Sequence, residues 1–546
     1  MGFDVSALAR VRSGPTATDA TTQGSSVPRS ARWYGWFAVA GIGSSLIVTL
    51  VVSLGRASWM GPPLPMPKDG PPFEVTSLHL SLASVTYALW LSAIVGGLGL
   101  AAALMAVRRG ARPSVRGLLL VAGVVVAVLT VLPPVGSTDS LDYMAFGRMV
   151  VLGHSPYVMV PWDLKHIHDA VAKSIPWEWG RIPSTYGPAA TVEQYVAARL
   201  GGTSAARIVF WLKVGNALAF GSVAYVADRL LRRDPAARLR AHLLWTINPL
   251  LIWQLIAAAH LDVLAAAAGV IGLVLAAGWP TMPAPGQERL GRVLAGGILV
   301  GVAADIKITF ALFGLGLAWA FRHSIAACVV AACGMLGVLL PSYGWFGSPA
   351  VNAVTDRRNR TTADNFYQLF SRDQHSYFIT HVGLVAAIVG VGVAIVVLSR
   401  LPIRATAQSA IFVALGLSTA WLFTWQYQLP SYDAMIICLL ILVPACWLDW
   451  LVVVRLTAAT VALMPGTTTP PPTRLLARIS LDILTLAVPA VLLAAAVALV
   501  VLCLTARGGR RVPAAPGPAD SPQLRAIPQP VSNPQPTGSA QPAAAG

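Results

Sequence analysis

Charged residues are scarce in this sequence of 546 amino acids. Asp, Glu, Lys and Arg make up 11% of the residues, less than half of the roughly 25% found in an ordinary soluble domain. This shortage argues against a water-soluble enzyme. Acidic residues are the rarer kind, with 22 Asp and Glu against 39 Lys and Arg. Because acids are scarce more than bases are abundant, the net charge of +17 does not indicate a nucleic-acid partner.

Cysteine is also rare, and the few cysteines do not form a recognisable pattern. All of them lie inside apolar runs, at Cys328, Cys333, Cys438, Cys446 and Cys503. No paired spacing is typical of a disulfide framework or a zinc site. We therefore expect these cysteines to be small, buried apolar side chains.

Apolar residues, in contrast, are abundant, at 56% of the chain. Several apolar runs reach about 20 residues, the length that an α-helix needs to cross a bilayer core of roughly 30 Å. The sequence predicts an all-α polytopic membrane protein with about 11 to 14 transmembrane helices. The clearest spans are expected at about 33–55, 83–107, 117–137, 206–228, 377–398, 407–423 and 481–504.

The apolar runs leave no room for a soluble domain of ordinary size. We expect a disordered cytoplasmic segment at 1–32, one transmembrane domain at 33–505 and a disordered tail rich in Pro and Ala at 506–546. No cleavable signal peptide is expected, because the first apolar run is long enough to remain in the membrane.

Basic residues are concentrated in short segments that alternate along the chain, which predicts the orientation of the helices. Five such segments, around Arg108, Arg238, Arg289, Arg322 and Arg400, agree with a cytoplasmic location. The same alternation places the two longest polar segments, about 136–205 and 342–376, outside the cytoplasm. Chemistry in those loops cannot rely on cytosolic nucleotides.

The first long loop begins with two acidic residues, Asp139 and Asp142, three positions apart. On a helical turn this spacing puts both carboxylates on one face. Such a pair can yield a general base or hold a divalent cation. A helix cap by Asp139 with a solvated Asp142 is the alternative. Aromatic residues follow in the same loop and suit either sugar stacking or a belt at the membrane interface.

Other charged residues interrupt the apolar segments between about 240 and 341. His260 and Asp262 would point about 200° apart on a continuous helix, so they can instead cap a helix start and line a cavity. Lys307 lies at a helix break beside Asp305, where it can snorkel to water or bind the phosphate of a donor. We expect Lys213 to snorkel.

A cluster of arginines lies in the second long loop and consists of Arg357, Arg358 and Arg360. Planar guanidinium groups can grip phosphate oxygens with two hydrogen bonds. Contact with anionic lipid, or pairing with nearby acidic residues, is the other interpretation.

Short motifs occur in a fixed order in the first loop and the helices that follow. They are Asp139, Tyr143, Gly147-Arg148 and Gly153-His154-Ser155-Pro156-Tyr157, then Ser184-Thr185-Tyr186-Gly187-Pro188, then Asn248-Pro249-Leu250 and His260-Leu261-Asp262. This order resembles that of the actinobacterial polyprenol-phosphate-mannose-dependent α-1,6-mannosyltransferases of the GT-C superfamily. The resemblance covers about residues 80–450. The sequence departs from the family pattern at Thr185, Leu141 and Asp142, where Pro, an aromatic and a small polar residue are usual.

The resemblance implies a GT-C-type fold with two large extracytoplasmic loops. It also implies inverting transfer of a sugar, with mannose expected, from a polyprenyl-phosphate donor to a glycan or lipoglycan acceptor at the outer face of the bacterial cell membrane. By position, Asp139 takes the role of catalytic base. A divalent cation on Asp139 and Asp142 stays open as a cofactor. The expected substrate-binding residues are Asp142, Tyr143, Arg148, Tyr157, Tyr186, His260, Asp262, Lys307, Arg357, Arg358 and Arg360.

Two alternatives to this function remain. A transporter or flippase for lipid-linked sugars would commonly show an internal repeat and ionisable residues near the bilayer midplane. No repeat is visible, and the conspicuous charges lie at span ends or in loops. An enzyme of the same superfamily that uses arabinose or glucose is the second alternative, because the motifs do not specify the sugar.

Overall fold

The computed structural model describes residues 28–55, 64–75, 78–176, 179–279, 288–355, 361–370, 377–400, 408–464, 471 and 473–505. Within these ranges the regular elements are helices, as the sequence predicts. The first part of the fold contains α1 (Arg29–Leu54), α2 (Leu82–Arg108), α3 (Val115–Val131), α4 (Asp139–Val151), α5 (Asp163–His166), α6 (Pro188–Gly201), α7 (Ala205–Leu230), α8 (Pro235–Ala241), α9 (Pro249–Ile252) and α10 (Asp262–Ala277).

The second part of the fold is also helical. It contains α11 (Leu290–Ile306), α12 (Ala311–Ala320), α13 (Ile325–Phe346), α14 (Ser348–Thr355), α15 (Tyr377–Arg400), α16 (Gln408–Thr424), α17 (Asp433–Leu440), α18 (Leu448–Ala462), α19 (Arg474–Asp482) and α20 (Val488–Thr505). Short π-helical segments at His242–Thr246, Trp253–Ala257 and Ile483–Ala487 adjoin α8, α9 and α19. Several long helices begin where a serine side chain accepts a hydrogen bond from a backbone N–H three residues later, as at Ser81, Ser114 and Ser204.

Six helices in the described ranges are long and apolar enough to cross a membrane, which indicates a membrane protein. They are Arg29–Leu54, Leu82–Arg108, Ala205–Leu230, Ile325–Phe346, His381–Ser399 and Arg474–Thr505. The segments Pro235–Ala257 and Asp262–Ala277 meet at an angle of 115° and make a seventh if they form one broken span. The number of such helices in the described ranges does not confirm the expected 11 to 14 transmembrane helices.

Two of the clearest expected spans form short helices in the structure, and the first of them is shorter than the sequence suggested. The apolar runs at about 117–137 and 407–423 form α3 and α16, each of 17 residues. At 1.5 Å per residue such a helix reaches about 26 Å, slightly less than a typical bilayer core. α3 ends before the paired prolines Pro133 and Pro134, which cannot donate backbone hydrogen bonds. In contrast, the long helix α13 was not among the clearest expected spans.

Contacts between distant segments bring parts of the two long loops together. The ring of Tyr157, from the first loop, meets that of Phe346, at the start of the second, with centroids 5.0 Å apart. Two of the basic segments come together elsewhere, because Arg240 forms an ion pair with buried Asp449 and Arg108 approaches the same carboxylate at 4.0 Å.

The expectation that Lys213 snorkels to water is wrong. Its side chain is fully buried within α7. Its ammonium group donates hydrogen bonds to the carbonyl oxygens of Leu129 at 2.5 Å and Leu132 at 2.8 Å. Leu129 lies in the last turn of α3 and Leu132 follows its end, where the backbone carbonyls carry the negative end of the helix dipole. Lys213 therefore fixes the end of α3, from which the chain runs to Asp139.

Candidate active site

The segment between α3 and α4 brings Asp139 to a break in another helix. The backbone N–H of Val135 donates to the carbonyl of Ala257 at 2.9 Å. Next to it, Gly136 has φ +109°, and a β-carbon there would lie 2.2 Å from Nε1 of Trp253. Only glycine fits this close approach with a positive φ. Asp139 follows as the first residue of α4.

Asp139 and Asp142 lie in the first turn of α4 and line one narrow cleft, of about 20 Å³, together with the aromatic rings of Trp179, Tyr186 and Tyr427. The side chain of Asp139 is 19% exposed, whereas Asp142 is 5% exposed. Aromatic rings can pack against the apolar face of a sugar ring, and carboxylates beside them can accept hydrogen bonds from its hydroxyl groups. Of the two acids, Asp139 is therefore the one better placed to meet a molecule in the cleft.

Two side chains from different parts of the fold approach the carboxylate of Asp139. The hydroxyl of Tyr143, one turn later on α4, lies 3.4 Å from Oδ2 and 3.2 Å from the hydroxyl of Tyr186. Nδ1 of His260 lies 3.4 Å from the same Oδ2. Burial, with the nearby Tyr186 and Asp139, raises the pKa of Tyr143 well above its ordinary value. Tyr143 therefore stays protonated and can donate to the carboxylate.

His260 reaches Asp139 because the helix is interrupted before α10. Ala259 adopts φ +61°, in the left-handed region, and α10 begins at Asp262. The side-chain amide of Asn216 on α7 donates to the carbonyls of Leu255 at 2.9 Å and His260 at 3.1 Å. His260 and Asp262 are thus not on one continuous helix, so the expected angle of about 200° between them does not apply.

Lys307 lies close to this break, in the turn that follows α11. Its ammonium group forms an ion pair with Asp262 and sits 3.3 Å from the ring centroid of Tyr432. The side chain is 11% exposed, so it points inward to these partners instead of extending to bulk water. Tyr432 in turn lies beside Tyr427, with ring centroids 6.3 Å apart. This chain of contacts links the cation to the cleft.

The second motif, Ser184–Pro188, packs directly against the turn that carries Lys307. The backbone N–H of Gly187 donates to the carbonyl of Ile306 at 3.3 Å. A β-carbon on Gly187 would lie 1.6 Å from the carbonyl oxygen of Asp305, so the two backbones touch here. On the other side, the hydroxyl of Tyr157 donates to the carbonyl of Tyr186 at 2.9 Å. Tyr157 and Gly187 together hold Tyr186 at the cleft.

An apolar groove of about 550 Å³ begins next to Lys307 and runs between α12 and α13. Ile308 and Thr309, the residues after Lys307, lie at one part of its wall, and Trp421 lies at another. The ring of Trp421 stacks on that of Tyr432, with centroids 6.0 Å apart. The stacked rings of Trp421 and Tyr432 therefore connect the groove to the ammonium group of Lys307.

Not all of the expected substrate-binding residues are brought to the cleft. Arg148 on α4 is engaged with Asp169, whose Oδ2 lies 2.9 Å from its Nε and 2.8 Å from its Nη2. This pair ties α4 to the loop that follows it. Arg357, Arg358 and Arg360 lie outside the described residues.

The described residues contain no group of three or more His, Cys, Asp or Glu side chains arranged to hold a metal ion. Asp139 and Asp142 alone would provide two carboxylates. A divalent cation on Asp139 and Asp142 is a prediction from the sequence.

Sequence reasoning missed Asn216 and assigned the wrong environment to Lys213, and both residues support the site. Asn216 and Lys213 lie three positions apart on α7, and each binds backbone carbonyls at the end or break of another helix. The signal for both was available, because a Lys and an Asn one turn apart within an apolar helix must satisfy their donors inside the protein. Which carbonyls they bind depends on the tertiary fold.

Comparisons with known proteins agree with the resemblance seen in the motifs. Residues 38–323 match the family described as alpha-(1->6)-mannopyranosyltransferase, N-terminal domain. A protein of Mycolicibacterium smegmatis named "Probable alpha-(1->6)-mannopyranosyltransferase" is 26% identical over 238 residues, which cover 39% of this chain and 41% of that protein.

A protein of Corynebacterium glutamicum named "Alpha-(1->6)-mannopyranosyltransferase B" is 26% identical over 230 residues, which cover 40% of this chain and 37% of that protein. The matches thus span about two fifths of the length of these curated relatives. The family match, in contrast, covers more than half of this chain and includes Asp139, His260 and Lys307. The chain therefore belongs to the alpha-(1->6)-mannopyranosyltransferase family.

Proposed function

We propose that this protein is an inverting glycosyltransferase that moves mannose from a polyprenyl-phosphate donor to a glycan or lipoglycan acceptor. The site would open on the extracytoplasmic face of the bacterial cell membrane, within a GT-C-type transmembrane domain at 33–505. The observation that carries the proposal is the carboxylate of Asp139, which lines an aromatic cleft and is approached by Tyr143 and His260.

Asp139 would act as the general base. The acceptor hydroxyl gives its proton to the carboxylate while its oxygen attacks the anomeric carbon of the donor. The bond from that carbon to the phosphate oxygen breaks on the opposite face, and the phosphate leaves with the electron pair. The configuration at the anomeric carbon is thereby inverted. Because a phosphate is a stable anion, this scheme requires one carboxylate as base and no second carboxylic acid to protonate the leaving group.

Lys307 would stabilise the phosphate as its charge develops. A fixed cation near a leaving group lowers the barrier most when water is largely excluded, and the Lys307 side chain is mostly buried. The apolar groove that starts beside Lys307 suits the hydrocarbon tail of a lipid phosphate. Arg357, Arg358 and Arg360 are proposed as further phosphate ligands from the sequence alone.

The sugar is tested by offering washed membranes one radiolabelled lipid donor at a time. We expect transfer from polyprenyl-phosphate mannose and much slower transfer from the glucose and arabinose donors, because the family is named for mannopyranosyl transfer. Membranes from cells that lack the protein are the control. Preferential transfer of arabinose or glucose would contradict mannose as the sugar, and movement of the lipid-linked sugar without transfer would indicate the flippase.

A further inference from the structure

We propose that His260 is a positioning residue that orients Asp139, and that the helix break before α10 exists to aim its imidazole at the carboxylate. The inference rests on the proposed function, because it takes Asp139 as the general base. It makes His260 a partner of that carboxylate and not a residue that binds substrate. His260 touches the reaction only through Asp139.

The contact itself requires a defined tautomer of His260. A carboxylate oxygen only accepts hydrogen bonds, so a hydrogen bond between His260 and Oδ2 of Asp139, which lies 3.4 Å from Nδ1, would be donated by a protonated Nδ1. The other ring nitrogen, Nε2, is buried without a hydrogen-bond partner among the described residues, and the whole side chain is 2% exposed. The imidazole therefore contributes its polar contact through one atom, Nδ1.

Two donors from different elements fix the direction of the carboxylate. Tyr143 approaches Oδ2 from within α4, one turn after Asp139, and His260 approaches the same oxygen from the helix break. A carboxylate held at one oxygen from two directions loses rotational freedom about its side-chain bonds. General-base catalysis depends on such alignment with the hydroxyl that loses its proton.

The backbone at the break is shaped for this contact. A left-handed conformation such as that of Ala259 is unfavourable for a residue other than glycine. Asn216 offsets this cost, because its single amide group holds the carbonyls on both sides of Ala259, at Leu255 and His260. Without the break, the helix would continue at 1.5 Å and 100° per residue and would carry the imidazole away from α4.

Asparagine and glutamine variants of His260 separate this role from simple packing. The side-chain amide of Asn reaches about as far as Nδ1 of His, whereas that of Gln reaches about as far as Nε2. We expect His260→Asn to keep at least several-fold more activity than His260→Gln. The apolar His260→Leu should lower kcat by about 10- to 100-fold, with little change in KM for donor or acceptor.

All variants are compared in washed membranes at equal amounts of inserted protein, beside the wild type and Asp139→Asn. Equal kcat in the Asn, Gln and Leu variants would overturn the inference while the wild type remains active. A large rise in KM with unchanged kcat would also overturn it, because that result indicates direct substrate binding by His260. If the wild type transfers no sugar from any lipid donor, the proposed function fails first and the inference falls with it.

Discussion

Asp139→Asn should lower sugar transfer by at least about 100-fold, because an amide cannot accept the proton of the acceptor hydroxyl. A positioned general base typically contributes 10²- to 10⁴-fold to a rate. The change preserves the size of the side chain and leaves Tyr143 and His260 an oxygen to approach. Insertion and thermal stability in detergent should therefore remain close to those of the wild type. The rate is measured with polyprenyl-phosphate mannose and washed membranes.

Asp163→Asn is the matched control for this experiment. Asp163 lies in the same loop, is 41% exposed, and accepts a hydrogen bond from the N–H of Val160 that an asparagine can also accept. Transfer by Asp163→Asn should equal that of the wild type. An Asp139→Asn protein that is inserted normally and retains full activity would remove Asp139 as the base.

Lys307→Met should lower kcat/KM for the lipid donor by about 100-fold, since removal of one donor that stabilises developing charge commonly costs 10²- to 10³-fold. Methionine keeps most of the length of the side chain and removes the ammonium group. Lys307→Arg should retain more activity than Lys307→Met, because it keeps a cation near the ring of Tyr432. The rate is measured at several donor concentrations to obtain kcat/KM.

A second variant separates phosphate binding from the ion pair with Asp262. Lys307→Met alone leaves the buried carboxylate of Asp262 without its cation, and an unpaired buried charge destabilises a fold. The double variant Lys307→Met with Asp262→Asn removes both charges. We expect it to recover thermal stability but not activity. Recovery of activity as well would mean that Lys307 serves the fold and does not contact the donor.

The helical architecture and the position of Asp139 could be predicted from the sequence, because both depend on local patterns. Apolar run lengths predicted α1, α2 and α7 to within a few residues. The spacing of Asp139 and Asp142 predicted that they share a helical turn, and both lie in the first turn of α4. The interruption near His260 and Asp262 was also visible as polar residues within an apolar stretch.

The contacts that build the site could not be predicted, because they join residues far apart in the chain. His260 meets Asp139 only through the left-handed Ala259 and the hydrogen bonds of Asn216. Hydropathy also cannot distinguish a lysine that reaches water from one that reaches the end of another helix. Lys213 belongs to the second kind, and its partners are carbonyls some 80 residues earlier in the sequence.

The side of the membrane on which the Asp139 cleft opens is tested most directly by cysteine labelling in intact cells. His154→Cys places a thiol at an exposed position in the first long loop, and Arg233→Cys places one at an exposed position between α7 and α8. The wild type, with its five native cysteines, is the blank. A membrane-impermeant maleimide should label His154→Cys in intact cells and Arg233→Cys only after permeabilisation. The reverse pattern would put the cleft in the cytoplasm and contradict transfer at the outer face.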